Sequence, residues 1–432
     1  MTKIAIVGAG SLVFTRTIVS DLLQQEPTAD AEIHLVDINE QRLMDAAKTV
    51  EAIGAAVGQT IPLIASTSCA EGVRGCDYVI NTIQVGGKDA TRIDFDLPEK
   101  YGVRQTIADT HGIGGISRAL RTLPPVLEIA ATVGEQAPDA WLLNYTNPMA
   151  MVVMGLAKSG VPRHIGLCHG TEHTVSDLAR YLGIEPASRL AWQAAGINHM
   201  TWFLSLLLDG KDVYPALRQL ARSIDVSTHE DGIRFELLRR FGYFVSESSV
   251  HNAEYYPWFL RRGAEGETHG VRVREYLYRL DALEEEFAGE LASLTTIGAL
   301  PLEPPSTEYA PKVIAALEAN TPFRFMGNLV NIASAIANLP TGACVEVPCY
   351  VDGGAIVPGL VGELPEQCAA LCRTQVNVQL LTVEGILEHR RDAIYQAAFL
   401  DPLLAAQLTL DEITSLVDDL IAAHGDPSTL VH

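Results

Sequence analysis

Short apolar runs alternate with longer stretches of helical periodicity through the first third of the chain. Residues 4–7 read Ile-Ala-Ile-Val, a compact run that predicts a buried strand. Residues 14–23 predict a helix, with Ile18, Leu22 and Leu23 on its apolar side. Residues 33–36 predict a second strand that closes on Asp37, and 41–53 a second helix. Residues 77–82 and 140–144 predict further strands, the latter followed by Asn147-Pro148. Strands alternating with helices in this way imply a parallel sheet covered on both faces. After about Arg163 the rhythm changes, and helical segments dominate around strands predicted at 202–208 and 344–351. The expected fold class is therefore α/β. A doubly wound parallel sheet of Rossmann type is expected over residues 1–165, and a larger α+β domain over 166–432. The charged stretch 261–275 predicts a surface loop or interface arm. Residues 410–424 predict an amphipathic helix with Ile413, Leu416, Val417, Leu420 and Ile421 on one side.

Composition narrows the classes of partner. The chain has 432 residues, 48% of them hydrophobic, enough to bury a sizeable core. Its formal net charge of -22 leaves no basic surplus to neutralise phosphates, which speaks against nucleic acid and anionic membrane surfaces. The run 4–7 is too short for a secretion signal, and nothing approaches the roughly eighteen apolar residues of a membrane span. A soluble, cytoplasmic protein is expected. Seven cysteines, an odd number at irregular spacing, then read as free thiols, with Cys368 and Cys372 packing from one helix.

The first candidate chemistry is a dinucleotide site. Gly8-Ala9-Gly10-Ser11 follows the first strand and opens a helix. Glycines there let the backbone turn tightly and approach a pyrophosphate at the helix N-terminus. Val13 stands where the usual fingerprint has a third glycine. Asp37, 27 residues after Gly10, can bind ribose hydroxyls and would repel a 2′-phosphate, which favours NAD over NADP. Ser11 and Phe14, at the start of the helix, complete the expected cradle. Asn81 and Gln84, in the segment Asn81-Thr82-Ile83-Gln84-Val85-Gly86-Gly87, are expected on the nicotinamide side.

Four polar clusters sit at predicted element ends: Asp109-Thr110-His111-Gly112, residues 144–148, Cys168-His169-Gly170 and Asn198-His199. A thiolate and an imidazole 31 residues apart, Cys168 and His199, can ligate one divalent ion if the fold brings them together. A small core cysteine and a hydrogen-bonded histidine are the alternative. Residues 246–249 (SESS) and 254–259 (EYYPWF) form a polar and aromatic belt. A tyrosine there can serve as a base beside a cation, which favours phenolate, or simply pack; aromatic faces also suit sugar rings. On these residues alone, a hydroxy-acid dehydrogenase and a non-catalytic NAD sensor remain alternatives.

Taken together, the blocks resemble glycoside hydrolase family 4 through nearly the whole chain. They are Gly8-Ala9-Gly10-Ser11, Asp37, TIADTHGIGGISRALRTLP (106–124), NYTNPM (144–149), IGLCHG (165–170), GINHM (196–200), EYYPWF (254–259), CVEVP (344–348) and DDLIAAHGD (418–426). The chain looks most like the α-galactosidase branch and its α-glucosidase relatives. Its Cys-His-Gly-Thr differs from the Cys-His-Ser of that α-galactosidase branch, and Cys-His-Gly occurs in the α-glucosidases. The resemblance implies an architecture like lactate and malate dehydrogenases, tightly held NAD, a divalent metal (usually manganese) and homodimers or homotetramers. It implies Cys168 and His199 as metal ligands, Asn147 and Asn198 at substrate hydroxyls, Asp109 by the metal or sugar, Tyr255 as base and His169 as a candidate acid. The implied chemistry stands outside the two-carboxylate rule. The sugar is oxidised at C3, loses its C2 proton and then its aglycone, takes up water at C1, and is reduced again. The substrate is a small α-glycoside; α-galactoside, α-glucoside and uronide remain open.

Overall fold

The computed structural model describes residues 1–261, 270–297, 300, 302 and 304–424. Most of the predicted arm at 261–275 lies outside the described residues, as do the last two positions of the DDLIAAHGD block.

Six parallel strands form the first half of the sheet: β1 (Lys3–Val7), β2 (Glu32–Val36), β3 (Leu63–Ser66), β4 (Tyr78–Asn81), β5 (Trp141–Asn144) and β6 (His164–Leu167). Their spatial order is β3-β2-β1-β4-β5-β6, with the topological switch between β1 and β4. That is the doubly wound plan in which ligands bind outside the carboxyl ends of the strands. Alternate side chains of β1 serve different cores: Ile4 and Ile6 pack in one cluster, Ala5 and Val7 in another. Burial on both faces explains why these strands read as unbroken apolar runs.

The sheet does not stop at β6. It continues through β7 (Leu190–Ile197), β8 (Met200–Leu208), β9 (Lys211–Asp212), β10 (Phe244–Val245), β11 (Phe323–Val330), β12 (Cys344–Asp352) and β13 (Ala355–Pro358). The order beyond β6 is β11-β12-β7-β8-β10, with every pairing antiparallel. The change of rhythm near residue 163 is thus a change from parallel to antiparallel pairing within one sheet.

Predicted and observed elements agree to within a few residues. The expected helices at 14–23 and 41–53 are Leu12–Leu23 and Glu40–Ala56, and the tail helix is Leu410–His424 with the five predicted side chains buried. Cys368 and Cys372 are fully buried in the helix Glu366–Leu387, and all seven cysteines are unpaired. Among the described residues, no helix is long and apolar enough to cross a membrane.

The buried helix Gly112–Gln136 carries the Thr106–Pro124 block into the centre of the molecule. Asp401 closes its N-terminus, accepting the Ile113 backbone N–H at 2.8 Å and the Leu403 N–H at 2.9 Å. The segment leading into it is held by Glu254, whose carboxylate accepts backbone N–H groups of Thr106 (2.7 Å), Ile107 (3.0 Å) and Ala108 (2.9 Å). Both anchors come from far along the chain, so the position of residues 106–113 is a tertiary matter.

Candidate active site

The predicted dinucleotide cradle forms at the carboxyl ends of β1, β2 and β4. Gly8 has a left-handed backbone (φ 91°), and a Cβ there would fall 2.9 Å from the Thr82–Ile83 peptide of the next strand. The Gly10 N–H donates to Asp37 Oδ2 at 2.8 Å, and a Cβ on Gly10 would sit 2.6 Å from the same oxygen. Gly10 is therefore what lets Asp37 stand at the tip of β2. Ser11 is the exposed N-cap of the helix Leu12–Leu23, and its side chain makes no cap bond. Phe14 packs edge-on against Tyr145, with centroids 5.0 Å apart.

Two predicted cofactor residues differ in setting. Asn81 is fully buried, its Nδ2 donating to Asn144 Oδ1 at 2.8 Å and its Oδ1 lacking a protein partner. Gln84 is exposed on the loop beyond, its Nε2 3.3 Å from Thr91 Oγ1.

The thiol and imidazole that sequence could only pair by supposition are together. Cys168 follows β6, and His199 lies in the two-residue turn between β7 and β8 with a left-handed backbone (φ 61°). Cys168 Sγ and His199 Nε2 are 3.3 Å apart. For a cation about 2.3 Å from sulfur and about 2.1 Å from nitrogen, the two donors stand roughly 3.1 Å apart at a right angle and roughly 3.6 Å at the tetrahedral angle. The observed spacing falls between, so the donor set fits one ion.

A hydrogen-bond chain fixes which nitrogen faces the thiol. Thr110 Oγ1 donates to Asp109 Oδ1 at 2.7 Å, so its lone pair accepts from His199 Nδ1–H at 2.9 Å. The proton then belongs on Nδ1, and the Nε2 lone pair is aimed at Cys168. Burial, then His251, push His199 down to about 4, so the ring is neutral at physiological pH. Burial, then the Glu346 carboxylate, hold the Cys168 thiol well above its ordinary value; a divalent cation held there would favour the thiolate.

Around this pair stand the other candidates. Asn147 Nδ2 donates to Asp109 Oδ2 at 3.0 Å. Burial opposes ionisation of Asp109, but Arg118 and His251 outweigh it and keep the carboxyl below its usual range. Tyr255 is fully buried, its hydroxyl 3.4 Å from His199 Nδ1. Burial, then Asp109, push its phenol well up. His169 Nδ1 lies 2.7 Å from Glu308 Oε1, and this carboxylate outweighs burial to raise the imidazole. Asn198 is fully buried, its Nδ2 donating to Glu346 Oε2 at 3.3 Å and its backbone carbonyl accepting from His111 Nε2 at 2.9 Å.

Sequence reasoning missed several members of the site. His251 lies four residues before Tyr255 on the helix Ser249–Tyr255, so both share one face; that spacing was the available signal. Its ring is 4.8 Å from that of His199, and Asp109, His199 and His251 offer ligand atoms within 4.8 Å of one another. His251 Nδ1 pairs with Glu247 Oε2 at 2.7 Å, which outweighs burial and raises the imidazole. Thr110 stood within a predicted cluster with no role, and Arg118 and Glu346 stood within the blocks 106–124 and 344–348 without being assigned one.

The fold and the site define a doubly wound α/β enzyme with a half-buried thiol against a buried imidazole beside the strand-end cleft. Family models for family 4 glycosyl hydrolases and for their C-terminal domain match residues 3–184 and 194–404. The chain belongs to that family and is a glycosyl hydrolase. It is 42% identical to an alpha-galactosidase of Bacillus subtilis (strain 168), over 99% of both chains. Its fold matches a 6-phospho-alpha-glucosidase from gut microorganisms, solved in complex with NAD and Mn2+, with TM-score 0.83 and 21% identity over 99% of this chain and 98% of that one. It also matches a malate dehydrogenase from Plasmodium falciparum with TM-score 0.51 and 13% identity, over 91% of this chain and 100% of that one, in line with the expected architecture.

Proposed function

We propose that this protein hydrolyses α-galactosides in the cytoplasm, with NAD held at Gly8, Gly10, Ser11, Phe14 and Asp37 and a divalent cation such as Mn2+ held by Cys168 and His199. The observation that carries the reading is the 3.3 Å approach of Cys168 Sγ to His199 Nε2, with the imidazole tautomer fixed by Thr110. When bound, NAD supplies a hydride acceptor at C3 that later returns what it took, and the cation supplies a Lewis acid for the neighbouring sugar oxygens.

The chain's own groups do the rest. Asn147 and Asp109, joined at 3.0 Å, present an amide and a carboxylate to sugar hydroxyls and fix the ring. Tyr255 removes the C2 proton. Its phenol is protonated in the buried site, and positive charge nearby lowers its pKa toward the range a base needs. His169, kept basic by Glu308, carries the proton that the leaving aglycone oxygen takes at C1. Arg118, and after it His251, whose imidazole Glu247 makes more basic, favour the ionised form of Asp109. A homo-oligomer is expected.

A panel of nitrophenyl glycosides with NAD, Mn2+ and thiol present tests this. The α-galactoside should be cleaved fastest, with no net accumulation of NADH. Preference for the α-glucoside or a uronide would move the enzyme to another branch of the family. NADH rising in step with turnover would make it a dehydrogenase and end the proposal.

A further inference from the structure

We propose that Glu346 is a positioning residue that clamps together the two chain segments bearing Cys168 and His199, and so sets the affinity of the site for a divalent cation. The inference rests on the metal site proposed above.

Glu346 lies on β12, with 1% of its surface exposed. Its register partners are Asn328 on β11 and Gly196 on β7, and Asn328 in turn pairs with Gly166 on β6. Gly166 is two residues before Cys168, and Gly196 three before His199. Glu346 therefore belongs to the row of residues that joins the two ligand-bearing strands across the sheet. Both flanking glycines are sterically required. A Cβ on Gly166 would fall 2.9 Å from Asn328 Cβ, and one on Gly196 would fall 2.3 Å from the Met200 carbonyl oxygen.

The side chain reaches both segments directly. Thr171 Oγ1 donates to Glu346 Oε1 at 2.7 Å, and Asn198 Nδ2 donates to Glu346 Oε2 at 3.3 Å. Thr171 lies three residues after Cys168, in the first turn of the helix Gly170–Leu182. Asn198 immediately precedes His199 in the β7–β8 turn. One rigid carboxylate thus spans the two loops that deliver the sulfur and the nitrogen. The supports of metal ligands matter because they hold donors at bonding distance before the ion arrives, and their loss typically weakens binding by about ten- to hundredfold.

The clamp works through hydrogen bonds, which an uncharged amide of the same shape can also make. In Glu346→Gln the amide oxygen still accepts from Thr171. The Asn198 Oδ1, which has no partner, can turn to accept from the new amide N–H. In Glu346→Ala both bonds vanish and a cavity is left.

The test is titration of Mn2+ into the full-length, NAD-saturated protein by calorimetry, with NAD affinity and circular dichroism measured on each variant. Glu346→Ala should weaken Mn2+ binding by about ten- to hundredfold with NAD affinity unchanged, and Glu346→Gln should stay within about threefold of wild type. Mn2+ affinity undiminished in Glu346→Ala, or lost equally in Glu346→Gln, would overturn the clamp. If Glu346→Ala also loses NAD binding, Thr171→Val decides, since it removes one bond and leaves the carboxylate: several-fold weaker Mn2+ binding supports the clamp, and no change refutes it. Cys168→Ser separates the two levels. If it binds Mn2+ as wild type does, the metal site itself is wrong; if it alone loses Mn2+ while Glu346→Ala does not, only the role of Glu346 falls.

Discussion

Replacing Thr110 by valine isolates the device that orients the proposed metal ligand. Valine keeps the branched shape but removes the oxygen that accepts from His199 Nδ1–H at 2.9 Å and donates to Asp109 at 2.7 Å. The Nδ1–H is then buried with only the Tyr255 hydroxyl nearby, at 3.4 Å, a long and weak alternative. An unsatisfied buried donor costs about 1–3 kcal/mol, which the ring can escape by rotating or by moving its proton to Nε2. Either escape takes the lone pair away from Cys168. The expected loss is about 1.4–2.7 kcal/mol of Mn2+ binding, a ten- to hundredfold weaker dissociation constant. Calorimetric titration of the NAD-saturated protein reads this directly, and Thr110→Ser, which restores the oxygen, should recover most of it. Thr110→Val binding Mn2+ as tightly as wild type would refute the assignment of the tautomer and, with it, the view that His199 is held for a metal.

Tyr255→Phe should slow exchange of the sugar C2 proton with solvent deuterium by at least an order of magnitude, about 1.4 kcal/mol of barrier; unchanged exchange, followed by NMR, removes this tyrosine from the mechanism. Gly10→Ala should weaken NAD binding about tenfold or more while far-ultraviolet circular dichroism stays the same, because the new methyl displaces Asp37 Oδ2, 2.6 Å from its place. His111→Gln should flatten the acid limb of metal-free stability. Burial, then His199, lower His111 to about 3, and its neutral ring donates from Nε2 to Asn198 O and accepts at Nδ1 from Gln379. Its folded value lies below the unfolded one, so its contribution is present above about pH 6.5 and lost as pH falls toward 3. Between pH 7 and 5 that loss is about 2 kcal/mol, which should appear in denaturant unfolding as the difference in slope between wild type and His111→Gln.

The sequence by itself determined the parallel half of the sheet. Ile4, Ile6, Ala5 and Val7 alternate between two cores, so burial on both faces leaves an apolar run that can be recognised without coordinates. It also determined the glycine turn with Asp37, because tight backbone approach demands glycine at a fixed distance from an acidic strand end. The amphipathic tail helix was equally legible, since its period is local. Tertiary structure alone decided that Cys168 and His199 meet. They sit on turns whose strands are separated in the sheet by β11 and β12, segments that arrive more than a hundred residues later. It decided likewise that Glu254 would hold three backbone N–H groups of 106–108, that Asp401 would close the helix at Gly112, and that Glu346 would join Thr171 to Asn198. These are single polar contacts between distant residues. They leave no periodicity in the chain, and a buried carboxylate becomes distinguishable from a surface one only when its donors have been brought to it.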